Sequence, residues 1–338
     1  MLLPCAAVVL AAVAALWAGA DRLTAPVLRF IQVDSVVLPA IDAWTARAGG
    51  GEGVVLFGDS AAGDLGPLLV EALGARGRSV NLLSAVHPGF RPIHFYSLLD
   101  RVEAGRPQVV LIEVNFRTFA DAYVGAMPEV SRFLSPVEVR AVRPALISEG
   151  IGLFDPWLYR FQAATGLLYG LPTLRLLAQT FYYRVTAAAS EWLGLRVVEP
   201  AAARVLKGPV DSSFLWLHYG HDPAATAQAA VLRTLRERLQ VRGITVRFYV
   251  TPLDVDRIAG LGLTEALGVD AKLAALRTAI GAAPDEWIDL HATAHSPDFR
   301  DFADHLQAQP LRRVAEQVAD ALAPLLGAPH APGEQPSP

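Results

Sequence analysis

Short apolar segments alternate with amphipathic segments between residues 54 and 326 of this chain. Runs rich in Val, Ile, Leu and Phe have the length of buried strands. They are Val54–Phe57, Ser79–Leu83, Gln108–Val114, Ile244–Val250 and Trp287–Leu290. Helical spacing of apolar residues predicts helices at Gly66–Ala75, Pro92–Val102 and Leu311–Leu326. Because strands that alternate with helices form a parallel sheet covered on both faces, we predict a doubly wound α/β domain over residues 53–326.

A long stretch between the third and fourth predicted strands exceeds what a small α/β domain needs. We predict a helical insertion at about residues 120–225. Within it, Ser135 and Glu138 have the spacing of a capping box and Pro136 suits the first helical position, so a helix should begin there. The insertion is also rich in aromatic residues, including Phe154, Trp157, Tyr159, Phe161, Tyr169, Phe181, Tyr182, Tyr183 and Trp192. They form the core of a helical subdomain, our preferred interpretation, or a surface for a membrane or partner.

The two ends of the chain differ in composition from the middle. Residues 2–20 carry no charged side chain and approach the minimum length of a helix that crosses a bilayer. We predict a targeting segment at residues 1–22, preferably a retained signal anchor, with a signal peptide cleaved after Ala20 as the alternative. Arg22 and Arg29 follow this segment, so the positive-inside rule does not support export of the remainder. Residues 23–52 are predicted to be a connecting segment, and residues 327–338 a disordered tail.

Composition and charge exclude several classes of function. The hydrophobic fraction of 53% and mean hydropathy of +0.34 favour a membrane connection. A net charge of −4 provides no basic footprint for nucleic acid. The single cysteine, Cys5, excludes an internal disulfide and a cysteine-based metal site. The glycine-containing stretch of residues 58–66 lacks the lysine of a phosphate loop.

Four histidines have spacings that a metal could use, His218 with His221 and His291 with His295. No cysteine or clear carboxylate partner completes either pair, since a metal site needs three or four ligands. The chain also contains no dinucleotide-binding fingerprint. We therefore expect neither a metal nor a cofactor.

The most informative stretch is Gly58-Asp59-Ser60, which ends the first predicted strand and is followed by small residues. A serine at this turn is lifted out of the carboxyl edge of the sheet, where open α/β folds bind their ligands. The next helix would direct its free N–H groups toward the same place. Ser60 is thus the predicted nucleophile. The alternative is a loop that only caps the helix.

A serine nucleophile needs a base and an acid that orients the base. His305 follows the last predicted strand and precedes the closing helix, so it should reach the sheet edge that carries Ser60. Two carboxylates flank it. Asp301 is the preferred acid because it can fold back over one turn of loop, whereas Asp304 is adjacent to His305 and would usually point the other way.

An acyl-transfer site also needs N–H donors for the oxyanion. Asn115 follows the third predicted strand, and its side-chain amide could join the backbone N–H groups of Ser60 and Gly89. The alternative for Asn115 is a loop residue that makes a local bond to the backbone.

The order of these segments resembles the SGNH (GDSL-type) hydrolase superfamily over residues 54–326. Its blocks are Gly-Asp-Ser after the first strand, glycine after the second, asparagine after the third, and an Asp/His pair before the last helix. Three positions differ from the usual pattern: Phe116 replaces Asp after the asparagine, Phe302 replaces Asp three residues before His305, and Pro310 replaces a helix-start glycine. The resemblance implies a flavodoxin-like sheet and an acyl-serine intermediate.

A membrane segment before such a domain is similar to the extracytoplasmic partners of membrane-bound O-acyltransferases, such as the DltD-like and alginate-acetylation proteins. This resemblance implies an esterase or O-acyltransferase anchored in the inner membrane with its domain in the periplasm. It would transfer an acetyl- or aminoacyl-like group of a cell-envelope glycan or polymer and work beside a membrane-bound O-acyltransferase. Two alternatives stay open: a non-catalytic scaffold that docks an integral membrane acyltransferase, and a secreted esterase.

Overall fold

The computed structural model describes residues 36–47, 52–120, 136–142, 144–145, 212–300 and 304–327. Residues 39–126 and 206–338 form one compact unit, and residues 1–38 and 127–205 form a second. The predicted targeting segment, the aromatic cluster at residues 154–192 and the tail beyond Gly327 lie outside the described residues. In the part of the chain that is described, no helix has the length and apolar character needed to cross a bilayer.

A five-stranded parallel sheet forms the centre of the first unit. Its strands are β1 (Glu52–Gly58), β2 (Val80–Val86), β3 (Val109–Val114), β4 (Thr245–Val250) and β5 (Trp287–Asp289). All pairings are parallel, and the order is β2-β1-β3-β4-β5. The predicted α/β class is therefore confirmed. The largest difference in a strand end is at β2, which continues to Val86 instead of Leu83.

The helices of the described residues lie between and after these strands. They are α1 (Leu38–Ala46), α2 (Leu65–Ala75), α3 (Pro92–Ser97), α4 (Leu99–Ala104), α5 (Pro136–Ala141), α6 (Ser212–Tyr219), α7 (Ala227–Val241), α8 (Val255–Gly260), α9 (Thr264–Leu267), α10 (Val269–Ile280) and α11 (Ala308–Leu322). The predicted helix at Pro92–Val102 is divided into α3 and α4 at Leu98. The predicted helix start at Pro136 is confirmed by α5, which belongs to the second unit.

Parts of the predicted connecting segment and of the predicted insertion belong to the same unit as the sheet. Part of the predicted connecting segment forms α1, where Ile41 and Trp44 are buried. Trp44 donates a hydrogen bond from its indole Nε1 to the carbonyl oxygen of Asn81 in β2 at 2.8 Å. Helix α6, within the predicted insertion, also belongs to this unit.

Apolar side chains of alternate strand positions pack against helices on the two faces of the sheet. On one face, Val54 and Leu56 of β1 join a buried cluster with residues of α2 and α11, including Leu69 and Val318. On the other face, Phe57 stacks on Phe95 of α3 with ring centroids 5.1 Å apart. Strands buried on both faces explain the nearly continuous apolar runs in the sequence.

The chain changes direction across the sheet at β1, because β2 pairs on one side of it and β3 on the other. The loops that follow β1 and β3 therefore leave in opposite directions and open a crevice at their carboxyl ends. Such a topological switch point is where open α/β sheets bind ligands. Residues 59–64 and 115–120 leave the sheet there.

Candidate active site

Ser60 lies immediately beyond the carboxyl end of β1. Asp59 is extended and caps a short 3-10 turn, Ser60–Ala62, by accepting a hydrogen bond on Oδ1 from the N–H of Ala61 at 2.8 Å. Gly58 permits this turn, since a Cβ there would lie 2.6 Å from Cβ of Ala62 and 2.8 Å from Oε2 of Glu113. The serine is half-buried, and α2 begins only at Leu65. The tripeptide thus both caps a turn and presents a hydroxyl at the sheet edge.

His305 reaches this hydroxyl from the far end of the chain. An antiparallel bridge between Phe299 and Leu306 holds its loop, and the N–H of Arg300 donates to the carbonyl oxygen of His305 at 2.9 Å. The Nε2 atom of His305 is 3.0 Å from Oγ of Ser60, although 245 positions separate the two residues. Hydroxyl and imidazole are therefore within the distance that proton transfer requires.

Asp304 provides the carboxylate behind the histidine. Its Oδ1 is 3.2 Å from Nδ1 of His305, and its side chain is buried. Burial raises the pKa of Asp304, but Arg117, His305 and Asn115 together outweigh burial and hold this pKa below its ordinary value. The expectation that an adjacent aspartate points away from the histidine is wrong for Asp304. The preferred acid, Asp301, lies outside the described residues and stays a prediction.

Asn115 and Gly89 lie in the loops that follow β3 and β2. The amide Nδ2 of Asn115 donates to Oδ2 of Asp304 at 2.6 Å and to Oδ2 of Asp59 at 3.4 Å, and its Oδ1 accepts from the N–H of Arg117. The amide is thus engaged with two carboxylates. Gly89 is half-buried in a turn with φ of 85°, a conformation that favours glycine. Their roles as oxyanion donors stay predictions.

Arg117 is a site residue that the sequence analysis missed. Its side chain is buried, and Nη2 lies 2.9 Å from Oδ2 of Asp304, 3.4 Å from Oδ2 of Asp59 and 3.4 Å from Oγ of Ser60. The available signal was a cationic residue two positions after Asn115 at the end of a fully buried strand. A buried arginine at such a position needs carboxylate partners, which the site contains.

Glu113 lies beneath the serine turn. Its Oε2 accepts a hydrogen bond from the backbone N–H of Asp59. Burial and the neighbouring Asp59 raise the pKa of Glu113 well above its usual value, which favours the neutral form of its carboxyl group. Burial also raises the pKa of Asp59, an effect that Arg117 opposes. On the adjacent strand, burial and the same two carboxyl groups raise the pKa of Tyr249 well above its usual value.

The first pair of candidate metal-binding histidines lies beside the site. Tyr219 and His221 pack edge-on against Phe116, with ring centroids 6.1 and 6.4 Å away. Burial and the positive charge of Arg117 lower the pKa of His218 to about 4, so its imidazole is neutral at pH 7.

The second pair lies elsewhere and has carboxylate neighbours that the sequence did not make evident. His291 is 2.6 Å from Asp289 and 2.8 Å from Asp270, and His295 is 3.1 Å from Asp256. Each of these contacts joins an imidazole nitrogen to a carboxylate oxygen. Among the residues that the structure describes, no group of three or more His, Cys, Asp or Glu side chains is arranged to hold a metal ion.

The site combines a hydroxyl, an imidazole and a carboxylate in the order of contacts found in nucleophilic serine enzymes. Such an order lets the imidazole remove the hydroxyl proton while the carboxylate stabilises the imidazolium. No protein-family model matches the chain, and no curated protein matches it.

Proposed function

We propose that the protein is a serine-dependent acyl-transfer enzyme in which Ser60 is the nucleophile, His305 the base and Asp304 the acid. The observation that carries this proposal is the 3.0 Å contact between Nε2 of His305 and Oγ of Ser60, with Asp304 at 3.2 Å from the opposite ring nitrogen. A histidine held between a serine and a buried carboxylate is suited to general base catalysis.

The reaction would proceed through an acyl-serine. His305 removes the hydroxyl proton of Ser60 as Oγ attacks the carbonyl carbon of an ester, and the carbonyl electrons move to the oxygen. Collapse of this tetrahedral intermediate expels the alcohol, which takes the proton from His305. A second hydroxyl, from water or from an acceptor, then attacks the acyl-serine by the reverse route. Hydrolysis and acyl transfer differ only in that second nucleophile.

The finer part of the proposal is an SGNH-type, flavodoxin-like enzyme. The strand order β2-β1-β3-β4-β5 is the flavodoxin-like order, with Ser60 after the first strand and Asn115 after the third. The apolar N-terminal sequence supports a signal anchor, and the proposed chemistry on an envelope polymer is the ground for a periplasmic domain. On these grounds we propose an acetyl- or aminoacyl-like group of an envelope glycan or polymer as the substrate, and a membrane-bound O-acyltransferase as the partner.

A fluorophosphonate probe tests the nucleophile directly. We expect the full chain to gain the mass of one probe on Ser60, and Ser60→Ala to gain none. Ser84→Ala, which removes an exposed hydroxyl from β2, is the matched control and should label like the wild type. Intact mass spectrometry after incubation with candidate acyl donors would then identify the acyl group.

Two results would contradict the proposal. Labelling that persists in Ser60→Ala would show that another residue reacts with the probe. Absence of labelling in the folded wild-type chain would favour the non-catalytic scaffold, in which the site is retained without activity.

A further inference from the structure

Arg117 is the positive group in contact with the hydroxyl of Ser60. One of its terminal nitrogens, Nη2, is 3.4 Å from Oγ of Ser60 and 2.9 Å from Oδ2 of Asp304. It is also 3.4 Å from Oδ2 of Asp59. This nitrogen has two hydrogens and faces three oxygen atoms, so one hydrogen is shared between Ser60 and Asp59 and can also be shared with an acceptor that forms beside Ser60.

Both hydrogens of the Asn115 amide are directed at carboxylates. Its Nδ2 is 2.6 Å from Asp304 and 3.4 Å from Asp59, so both of its hydrogens have carboxylate acceptors. Both bonds are charge-assisted, and breaking either would remove one of the donors that a buried carboxylate has. The guanidinium of Arg117 is therefore better placed than the amide of Asn115 to respond when charge develops beside Ser60.

The backbone around Arg117 is fixed before any substrate binds. Asn115 caps the 3-10 turn Phe116–Phe119 by accepting from the N–H of Arg117 at 3.1 Å. Immediately before α3, the guanidinium of Arg91 donates to the carbonyl oxygens of Thr118 at 2.8 Å and Ala120 at 3.2 Å. A donor that is already oriented in a buried site stabilises transition-state charge without the cost of reorganisation.

We propose that Arg117 is a further catalytic residue, whose guanidinium donates a hydrogen bond to the oxyanion that forms when Ser60 attacks an acyl carbonyl. This inference rests on the proposed function. In the step, the Oγ–carbon bond forms, the proton of Oγ passes to Nε2 of His305, and the carbonyl electrons move to the oxygen. Arg117 keeps all its protons, and the hydrogen shared by Ser60 and Asp59 donates to that oxygen.

The test compares the acylation of Ser60 by 4-nitrophenyl acetate with acylation by its thionoester analogue, in which sulfur replaces the carbonyl oxygen. Sulfur is a poorer hydrogen-bond acceptor, so an enzyme that stabilises an oxyanion prefers the ester. For Arg117→Gln we expect the burst rate with the ester to fall about 10²–10³-fold, the usual effect of losing one oxyanion donor. The rate with the thionoester should fall much less, so the preference for the ester decreases.

Arg236→Gln is the matched control, because Arg236 pairs with Glu286 at 2.8 Å in an ion pair outside the site. It should keep both the rate and the preference for the ester. Arg117→Lys is the second variant in case Arg117→Gln does not fold. Lysine keeps the charge, so this variant should retain part of the rate and most of the preference. Melting temperatures of all variants report their folding.

Each outcome has a separate meaning. Equal losses with the two substrates in a folded variant would make Arg117 a structural clamp for its carboxylates and overturn the inference. A folded Arg117→Lys that loses the rate but keeps the full preference would overturn it in the same way, as would an unchanged rate in Arg117→Gln. If the wild-type chain forms no acyl-serine with either substrate, the proposed function itself fails and the inference fails with it.

Discussion

Glu113 is a carboxyl group placed where a charge would be costly. It is 3% exposed, and its Oε2 accepts from the backbone N–H that precedes Ser60. Because burial and Asp59 raise its pKa well above the usual value, folding favours its neutral form. A neutral glutamic acid and a glutamine have the same shape. We therefore expect Glu113→Gln to label with fluorophosphonate at close to the wild-type rate at pH 7.

The same raised pKa predicts how stability changes with pH. A carboxyl group whose pKa is higher in the folded chain opposes folding as pH rises above its unfolded value, because the unfolded chain ionises first. Glutamine does not ionise, so the free energy of unfolding of Glu113→Gln should increase relative to wild type above pH 4.5. The slope should reach at most about 1.4 kcal/mol per pH unit. Urea unfolding between pH 5 and pH 8 measures it.

The exposed Glu237 provides a control for the loss of a carboxylate. Glu237→Gln should show no comparable change across this pH range. A free energy of unfolding that falls with pH in Glu113→Gln relative to wild type would mean that Glu113 is ionised in the folded chain.

At the scale of elements, the absence of a side chain at Gly58 lets β1 and the serine turn pack closely against β3. A methyl group there would meet Cβ of Ala62 at 2.6 Å and Oε2 of Glu113 at 2.8 Å, so the turn or the strand must shift. We expect Gly58→Ala to lower the free energy of unfolding by about 1–3 kcal/mol, as overpacking does in cores. It should also slow the labelling of Ser60 by displacing its hydroxyl from His305. Denaturant unfolding and probe kinetics measure the two effects.

Gly74 near the end of α2 is a matched control because a Cβ there would meet nothing within 4 Å. Gly74→Ala should raise the free energy of unfolding by up to about 1 kcal/mol, since alanine is the better helix former. It should leave the labelling rate unchanged. If both glycine variants are equally stable and label equally fast, the turn after β1 is not tightly packed.

Arg91 connects α3 to the segment that carries Arg117. Its guanidinium is fully buried and donates to the carbonyl oxygens of Thr118 and Ala120. Replacement by leucine leaves these carbonyls without that donor, at a cost of about 1–3 kcal/mol for each unsatisfied group. We expect Arg91→Leu to lower the melting temperature and to slow acylation of Ser60, because the turn of Arg117 loses its support.

Arg101 on α4 allows a comparison with an exposed ion pair. Its side chain is 42% exposed and lies 3.5 Å from Asp42. Such pairs contribute about 0–1 kcal/mol, so Arg101→Leu should change stability little. If Arg91→Leu lowers the melting temperature no more than Arg101→Leu does, Arg91 does not support the turn that carries Arg117.

The strands and most helices were predictable because burial on both faces of a parallel sheet leaves continuous apolar runs. The meeting of Ser60 and His305 was also predictable, since both follow strands of one sheet and parallel strands share a carboxyl edge. The contact of Asp304 with the adjacent His305 was not, because it depends on the pairing of residues 298–300 with 305–307, which involves no periodic pattern. The role of Arg117 in the site was not predictable for a similar reason, because hydrophobic spacing does not encode the direction of a side chain in a 3-10 turn.

At the scale of the whole molecule, the site is where loops from distant parts of the chain bring buried charged side chains into contact. Asp59, Asp304 and Arg117 come from three such loops, and Nη2 of the arginine lies 3.4 Å from Oδ2 of Asp59 and 2.9 Å from Oδ2 of Asp304. Arg117 lies beside several buried carboxyl groups, so ionising all of them is costly. Burial is the largest cause that raises the pKa values of Glu113 and Asp59, and neighbouring carboxyl groups add to it.

The free energy of unfolding at acid pH should depend on two groups, His94 and Asp304, which act over different pH ranges. Burial and the nearby Arg91 lower the pKa of His94 to about 3, whereas an unfolded histidine titrates near 6.5. Because the unfolded chain binds a proton first, the stability that His94 contributes is present above pH 6.5 and is lost as pH falls toward 3. The lowered pKa of Asp304 acts at lower pH, since its contribution is lost only as pH falls below its unfolded value near 3.8. Variants of the two residues can thus separate the pH range in which His94 acts from the range in which Asp304 acts.

We expect His94→Asn to remove the pH dependence of stability that His94 causes. An asparagine oxygen can accept the hydrogen bond that Nδ1 of His94 accepts from the N–H of Arg91 at 2.9 Å, and it does not titrate. The free energy of unfolding of this variant should change less between pH 6.5 and pH 4.5 than that of the wild type, by up to about 1.4 kcal/mol per pH unit. His295→Asn is the control because His295 is 70% exposed. Urea unfolding over this range would contradict the assignment if His94→Asn kept the full wild-type slope, because the buried imidazole would then not be the group that opposes protonation.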